Sequence, residues 1–313
     1  MKILVTGIGG DIGNGVGRIL KRCKFVSSLI GCDIHSEHLG HHVFDKCLLL
    51  PPVLSHKYLD ELQRVKDDLN IDAIILTSEP ELRFFTSLEQ AGNSPALPLV
   101  WANAQSRVIG FDKLLTVRFL SGINIAAPWT MLAADVLPSE FPCILKSRVG
   151  AGNQAIYKIL DLHEAERFQK AFPQFIWQEY IPGDSQEYTC GVFGCASGEI
   201  RTIIFRRRLA SGVTSYAEVV EHDGIKSLCE DVAKGLNLRG SINIQLRLSD
   251  RGPMIFEINP RFSSTVVFRH KLGFTDLIWS IQDQMMNTDT TYKLDTSLIG
   301  SKLYRSFDEV IER

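Results

Sequence analysis

The chain lacks the sequence features of a membrane protein, a nucleic-acid binder or a disulfide-stabilised domain. No apolar run approaches the roughly 18 residues of a membrane-spanning helix, and the first residues show no signal-peptide pattern. The net charge of −2 provides no field for nucleic acid or an anionic membrane. Seven cysteines, an odd count without paired spacing, predict reduced thiols. These absences predict a cytoplasmic globular protein without nucleic-acid or membrane partners.

The 313 residues leave room for two or three subdomains, each with its own core. Up to about residue 110, strand and helix patterns alternate, which predicts an open parallel α/β sheet. Beyond it, strand patterns dominate and predict an α+β architecture with an antiparallel sheet. We expect segments 1–110, 111–177 and 178–313. Strands are predicted at 2–5, 29–32, 73–76, 143–146, 154–160, 175–180, 187–193 and 200–208, and helices at 16–24, 58–69, 112–121 and 225–236.

Two neighbouring segments, 241–248 and 254–261, alternate polar and apolar residues with period two and are joined by a turn-rich connector. This pattern predicts an antiparallel hairpin. A fold centred near residue 251 places Gln245 opposite Glu257 and Asn243 opposite Asn259. One carboxylate and three amide oxygens then share a patch, which suits a magnesium ion completed by water and phosphate oxygens. Arg261, just beyond, suits an anion.

The usual P-loop is absent from the sequence. Two other lysines are candidates for binding phosphate. Lys113 starts a predicted helix, and Lys146 ends a predicted strand. Gly150 and Gly152 follow, and their backbone amides could approach a phosphate. Taken alone, a strand-end lysine is more often a solvated rim charge, and such a loop is more often a plain turn.

The strand pattern at 175–181 contains the four residues Gln178, Glu179, Tyr180 and Ile181, which could read an adenine ring. An ordinary core strand is the alternative. Glu187 could hold ribose hydroxyls or be an exposed strand carboxylate. The run Arg206, Arg207 and Arg208 could bind phosphate or substrate, or form an exposed basic strand.

The N-terminal run Thr6-Gly-Ile-Gly-Gly-Asp-Ile-Gly13, with Asp33 ending the next strand, has the glycine spacing of dinucleotide-binding reductases and epimerases. Those enzymes need a Tyr-x-x-x-Lys pair, which the chain does not contain. We therefore expect a helix N-terminus that receives another anion, such as a substrate carboxylate. The histidines at positions 35, 38, 41 and 42 fit no metal-ligand spacing and predict a solvated loop.

The order of these elements resembles the ATP-grasp superfamily, specifically proteins similar to the large subunit of carbamoyl-phosphate synthase. The resemblance lies in Asp112-Lys113, the stretch 122–128, Gln178-Glu-Tyr-Ile181 and Glu257-Ile-Asn-Pro-Arg261, with Gly31-Cys-Asp33 and Pro51 in the first segment. It implies a Rossmann-like pre-ATP-grasp domain, followed by an ATP-grasp domain whose two α+β subdomains clasp ATP. Ser147 departs from the pattern, since proline is common there. The chain also holds one ATP-grasp unit and no glutaminase, so it is not a complete carbamoyl-phosphate synthase.

The resemblance implies a role for each candidate residue. ATP would contact Lys113, Lys146, Gly150, Gly152, the hinge Gln178, Glu179, Tyr180 and Ile181, and Glu187. Mg²⁺, with Mn²⁺ as an alternative, would bind Gln245, Glu257 and Asn259. The catalytic contacts to the transferred phosphoryl group would come from Arg261, Lys146 and Arg208.

The resulting functional hypothesis is an ATP- and Mg²⁺-dependent ligase that activates a carboxylate as an acyl phosphate and joins it to an amine. Substrate contacts are expected from the loops at 9–13, 78–81 and 206–208, and from Ser263, Ser264 and Arg269. The alternatives are a kinase of carbamate or a small carboxylate, an ATP-binding regulatory protein, and an NAD-dependent epimerase or reductase. The partners would be small-molecule substrates, and a homodimer is left open.

Overall fold

The structure is a computed structural model that describes residues 1–150, 156–183, 186–210, 212–288, 292 and 294–306. No helix in these ranges is long and apolar enough to span a membrane. Each cysteine of the chain is a free thiol. The described residues form separate sheets in the first, middle and last parts of the chain.

The strands and helices follow in chain order. The strands are β1 Lys2–Thr6, β2 Ser28–Asp33, β3 Lys46–Leu49, β4 Ala73–Ile75, β5 Thr130–Leu132, β6 Cys143–Ser147, β7 Ile156–Ile159, β8 Phe175–Glu179, β9 Glu187–Gly194, β10 Ile200–Ala210, β11 Val213–Val219, β12 Gly240–Ser249, β13 Gly252–Asn259 and β14 Lys302–Tyr304. The α-helices are α1 Asp11–Leu20, α2 Tyr58–Leu69, α3 Glu79–Gln90, α4 Ala104–Gly110, α5 Lys113–Gly122, α6 Leu162–Ala171, α7 Asp223–Gly235, α8 Val266–Lys271 and α9 Asp276–Ile281. Short 3-10 turns at Leu39–His42 and Thr296–Leu298 and a π-helix at Gln282–Met286 complete the described elements.

The first sheet is parallel, in the order β3-β2-β1-β4. Its central strand β1 is buried on both faces, because Ile3 and Val5 point into one apolar core and Leu4 into another. Parallel sheets need this double cover. Because β1 and β4 are parallel neighbours, their carboxyl ends lie at the same edge of the sheet. The glycine turn follows β1 at this edge, and Thr77 follows β4.

The glycine turn after β1 is tight for steric reasons. Gly7 has φ +66°, and a Cβ on Gly13 would lie 2.2 Å from the carbonyl oxygen of Gly7. Side chains are thus excluded at Gly13, and the backbone can close directly into α1. The helix begins five residues before the predicted start at residue 16. Glycines inside a helix are unusual and are more typical of a turn. Within this helix, Gly17 leaves room for the Phe44 ring, because a Cβ at that position would lie 2.3 Å from it.

The middle sheet is antiparallel, in the order β5-β8-β6-β7. The boundary predicted between residues 177 and 178 falls inside β8. Glu179 still pairs with Cys143 of β6, and its N–H donates to the Trp129 carbonyl at 2.9 Å. Backbone pairing therefore places all of β8, including Glu179, in the middle sheet.

The last sheet has the order β13-β12-β9-β10-β11-β14 and is antiparallel. The predicted hairpin register is confirmed, with Gln245 opposite Glu257 and Asn243 opposite Asn259. After the hairpin the chain returns to the first subdomain, where Val266 of α8 and other apolar residues join the core around β1. The predicted combination of α/β and α+β architecture is confirmed by these sheets.

Gly13→Ala should destabilise the protein by about 1–3 kcal/mol, because the added methyl group would overlap the Gly7 carbonyl. Gly122→Ala is the matched control, since nothing lies within 4 Å of a Cβ at that helix position. The control should be neutral or up to about 1 kcal/mol more stable. Urea unfolding measures both, and equal midpoints for the two variants would contradict the steric argument.

Candidate active site

The three sheets surround one cleft with a volume of about 750 Å³. Its lining includes the glycine turn, the end of β6, the segment that follows β8, and one face of the β12–β13 hairpin. This volume lies within the range of small-molecule sites. Segments that are far apart in sequence thus contribute to a single site.

The hairpin presents two oxygen-bearing side chains to the cleft that are better placed for a metal than their neighbours. Glu257 and Asn259 line the cleft beside Gln245 and Asn243. The Gln245 Oε1 accepts a hydrogen bond from Arg207 at 2.8 Å, and the Asn243 Oδ1 accepts one from Thr189 at 2.9 Å. The contacts of Glu257 to the Lys113 Nζ and of the Asn259 Oδ1 to Arg261 are longer, at 3.3 and 3.4 Å, so these two members of the predicted metal set are held less tightly by protein groups.

A carboxylate and an amide are a suitable partial ligand set for Mg²⁺, which usually binds one or two carboxylates and takes its other ligands from water and phosphate. The described residues contain no cluster of three or more His, Cys, Asp or Glu side chains that could hold a metal alone. Glu257 and Asn259 therefore fit a metal that arrives with a phosphate ligand, rather than a structural metal site.

Lys113, Lys146 and Glu257 form a buried charge cluster in this cleft. The Lys113 Nζ lies 3.3 Å from the Glu257 Oε1. Burial lowers the pKa of Lys146 to about 8, against the attraction of Glu257. Burial by itself raises the pKa of Glu257, but the attraction of Lys113 and Lys146 and a hydrogen bond from Asn259 outweigh it, so this pKa is lowered. Glu257 is therefore ionised at neutral pH.

Lys113 is held in place by its neighbour and by the glycine loop. Asp112 caps α5 by accepting hydrogen bonds from the N–H groups of Leu114 and Leu115 at 2.9 and 3.1 Å, and it also binds Arg148. The Lys113 Nζ donates to the carbonyl of Gly150 at 2.9 Å. Gly150 lines the cleft with φ +105°, whereas Gly152 lies outside the described residues.

The predicted hinge residues Gln178, Glu179, Tyr180 and Ile181 all line the cleft. The side chains of Gln178 and Glu179 are held by protein contacts, to the Thr130 hydroxyl at 3.0 Å and to Arg251. The ladder of β8 ends at Glu179. The chain at Tyr180 and Ile181 thus continues past the sheet along the cleft.

Glu187 lines the cleft between two arginines. Its Oε1 accepts hydrogen bonds from Arg207 at 2.8 and 3.0 Å, and its Oε2 accepts two from Arg247 at 2.7 and 3.1 Å. The predicted ribose contact stays a prediction, because both oxygens are engaged by protein in this structure. Glu187 also orients the two guanidinium groups.

Arg208, a predicted catalytic residue, is not part of the cleft. Its side chain is exposed and lies over the ring of Tyr216, 5.2 Å from the centroid. Strand alternation instead turns the buried Arg207 toward the cleft. The sequence marked the run of three arginines but did not determine which face of β10 meets the cleft.

Arg261 lies in the cleft without an ion-pair partner among the described residues. It donates to the Phe262 carbonyl at 3.1 Å and to the Asn259 Oδ1 at 3.4 Å. Glu79, at the start of α3, lies close enough to attract it. Burial raises the pKa of Glu79, against the attraction of Arg261 and Lys113. From the sequence, Glu79 is expected only as part of the substrate-contacting loop 78–81.

Some predicted substrate contacts have structural roles instead. Arg269 is fully buried and pairs with Asp276 at 2.8 Å, so it is removed from the substrate set. Glu81 is buried and accepts hydrogen bonds from Thr6 and Tyr58. Ser263 and Ser264, together with the glycine turn, do line the cleft.

Comparison with known proteins supports one fold for nearly the whole chain. Residues 171–297 match the family model described as ATP-grasp in the biosynthetic pathway with Ter operon. No curated protein matches the chain by sequence. Among solved structures, the L-amino acid ligase from Bacillus licheniformis is 16% identical, covering 91% of this chain and 74% of that chain, with a TM-score of 0.69.

Two further structures are similar to nearly the whole chain. The biotin carboxylase domain of the Hydrogenobacter thermophilus 2-oxoglutarate carboxylase, in complex with MgADP, ADP and bicarbonate, has 14% identity and a TM-score of 0.71, covering 96% of this chain and 72% of that chain. The N5-carboxyaminoimidazole synthetase from Staphylococcus aureus, complexed with ADP, has 14% identity and a TM-score of 0.71, covering 90% of this chain and 77% of that chain. The predicted resemblance to the ATP-grasp superfamily is thus confirmed, and the chain has the ATP-grasp fold.

Lys146→Met should stabilise the protein at neutral pH. The pKa of Lys146 is about 8 in the folded chain, against 10.5 for an ordinary lysine, so the unfolded state binds more protons between these values. Below pH 8 the buried charge carries its full cost, and that cost falls as the pH rises. The variant should therefore gain about 1–3 kcal/mol at pH 7, and the gain should shrink toward pH 10.

Urea unfolding at pH 7 and pH 9.5 measures this difference. Lys170→Met is the control, because it removes an exposed lysine from α6 of the same subdomain. The control should change stability little at either pH. A Lys146→Met gain that stays constant between the two pH values would contradict the assigned titration.

Proposed function

We propose that the protein is an ATP- and Mg²⁺-dependent ligase that activates a carboxylate as an acyl phosphate and joins it to an amine. One observation carries this proposal: Lys113, Lys146 and Arg261 converge on Glu257 in a single cleft. Such a set neutralises a transferred phosphoryl group and needs no covalent protein nucleophile.

Each wall of the cleft has a role in this proposal. Lys113, Lys146 and the loop at Gly150 bind the phosphates, and the chain from Gln178 to Ile181 holds the adenine. Glu257 and Asn259 would hold Mg²⁺, with Gln245 joining if its contact to Arg207 opens. Bound there, Mg²⁺ would supply Lewis-acid neutralisation of phosphate charge.

The proposed reaction has two steps, phosphoryl transfer to the carboxylate and attack of the amine on the acyl phosphate. A carboxylate oxygen attacks the γ-phosphorus, so that an O–P bond forms, the bond to the bridging oxygen breaks and ADP leaves. The amine nitrogen then attacks the acyl carbon, forming a C–N bond and breaking the C–O bond to phosphate. One amine proton leaves with the phosphate. Lys146 and Arg261 stabilise negative charge in the first step, and Arg207 replaces Arg208 as the additional cation of the cleft.

The structural neighbours support this choice over the alternatives. The Bacillus licheniformis protein is an L-amino acid ligase by name, and the other two structures contain ADP. The chain lacks the Tyr-x-x-x-Lys pair that the nicotinamide-dependent alternative needs, and its glycine turn lines the same cleft as Glu257 and Arg261. We therefore assign the glycine turn to the substrates rather than to a dinucleotide.

Release of phosphate from MgATP should depend on both a carboxylate and an amine. A screen of carboxylate and amine pairs by phosphate release tests this dependence.

Glu257→Gln should lower kcat at least about 100-fold, because it removes the carboxylate that holds both the metal and Lys113. Undiminished turnover of Glu257→Gln would overturn the metal assignment. A stable acyl phosphate formed without amine dependence would indicate a kinase.

Arg207→Met and Arg208→Met form a matched pair on neighbouring positions of β10. Arg207→Met should weaken MgATP binding or lower kcat about tenfold or more, because it removes a buried cation from the cleft and releases Glu187 and Gln245. Arg208→Met should change both parameters less than twofold, because that side chain is exposed. Thermal unfolding verifies that both variants are folded, and equal kinetic effects would contradict the assigned strand face.

A further inference from the structure

Asp11 brings a carboxylate to the part of the cleft formed by the first subdomain. It is the first residue of α1, directly after the glycine turn, and it lines the cleft with 39% of its side chain exposed. Its Oδ1 pairs with Arg305. Its Oδ2 accepts no hydrogen bond from the described residues and is free to bind a ligand.

Arg305 holds Asp11 in position from the other end of the chain. The Arg305 Nη1 pairs with Asp11, Nη2 donates to the Ser264 carbonyl, and Nε donates to the Thr214 carbonyl at 2.9 Å. Its backbone N–H also donates to the Ser215 carbonyl at 2.8 Å. The Arg305 side chain is only 15% exposed, and its guanidinium connects the start of α1, the loop after Arg261 and the start of β11.

Arg305 connects Asp11 to the loop that follows Arg261. A single guanidinium contacts both Asp11 and the carbonyl of Ser264. Ser264 follows Arg261 by three residues, and both line the cleft. A group bound to the Asp11 Oδ2 would therefore lie on the same wall as the loop that presents Arg261.

The other carboxylates that line the described part of the cleft are already committed. Glu179 pairs with Arg251, Glu187 with Arg207 and Arg247, and Glu257 with Lys113. Each of these pairs lies beside the hinge or the hairpin. A cationic substrate that enters from the glycine turn therefore meets Asp11, whose Oδ1 pairs with Arg305 but whose Oδ2 has no hydrogen-bond partner among the described residues.

We propose that Asp11 binds the amine substrate as its ammonium form and accepts one proton from it before the nitrogen attacks the acyl carbon, and that Arg305 is the positioning residue for Asp11. The inference rests on the proposed ligase function and names the class of its second substrate: a primary aliphatic amine that is positively charged at neutral pH. A charge-assisted hydrogen bond to Asp11 distinguishes such an amine from a neutral isostere, which leaves the carboxylate without its ion partner.

Direct binding tests the proposal without requiring turnover. The probes are ethylamine, putrescine and the L-amino acids, each compared with the hydroxyl compound of the same shape where one exists. Saturation-transfer NMR measures their binding to the protein loaded with Mg²⁺ and a non-hydrolysable ATP analogue. At least one amine should bind at least tenfold more tightly than its hydroxyl counterpart, and Asp11→Asn should weaken that amine at least tenfold.

Asp223→Asn is the matched control, because Asp223 is the exposed first residue of α7 and does not line the cleft. It should leave amine binding unchanged, whereas Asp11→Glu should restore part of it. Arg305→Met should weaken the amine but leave the affinity for the ATP analogue within twofold. Thermal unfolding verifies that each variant is folded.

Two results would overturn the proposal: no amine of the panel binds the wild-type protein, or Asp11→Asn binds the best amine within twofold of wild type. Failure of the ligase function has a different signature. In that case no carboxylate and amine pair releases phosphate, while Asp11-dependent amine binding still marks a cation site.

Discussion

The architecture of the cleft depends on the buried charge cluster of Lys113, Lys146 and Glu257. Each charge comes from a different element: α5, the end of β6 and the inner face of β13. Two buried ammonium groups near each other would be too costly without a carboxylate. Glu257 offsets them, and its lowered pKa shows that the attraction outweighs its own desolvation. The cluster thus connects the middle and last sheets on one side of the cleft.

A second set of ion pairs extends this arrangement along the hairpin face. Glu187 engages Arg207 and Arg247, and Arg207 also holds Gln245. Arg305 also connects the start of α1 to the loop after Arg261. Charge compensation therefore runs through most of the cleft, whereas Lys146 and Arg261 have no ion pair among the described residues and are attracted by Glu257 from a greater distance. A guanidinium without an ion pair is a suitable partner for an anion.

The hairpin register was predictable because its information is local. Period-two alternation and a turn-rich connector determine which residues oppose each other, so the sequence alone could pair Glu257 and Asn259 with Gln245 and Asn243. The roles of the amides were not predictable in the same way. Gln245 is engaged by Arg207, and Asn243 by Thr189 and Arg269. These partners lie on other strands and helices, so the packing of those elements determines whether they reach the amide side chains.

The sequence by itself determined the fold class, the order of the elements and the candidate lysines, because hydrophobic periodicity, glycine turns and the closing Glu-Ile-Asn-Pro-Arg motif are local signals. Tertiary structure alone decided which arginine of β10 meets the cleft, why Arg269 belongs to the core, and that β8 stays with the middle sheet. It also brought Arg305 to Asp11 across nearly the entire chain. Contacts of this kind depend on how separate sheets pack, and packing is a property of the whole fold rather than of any one segment.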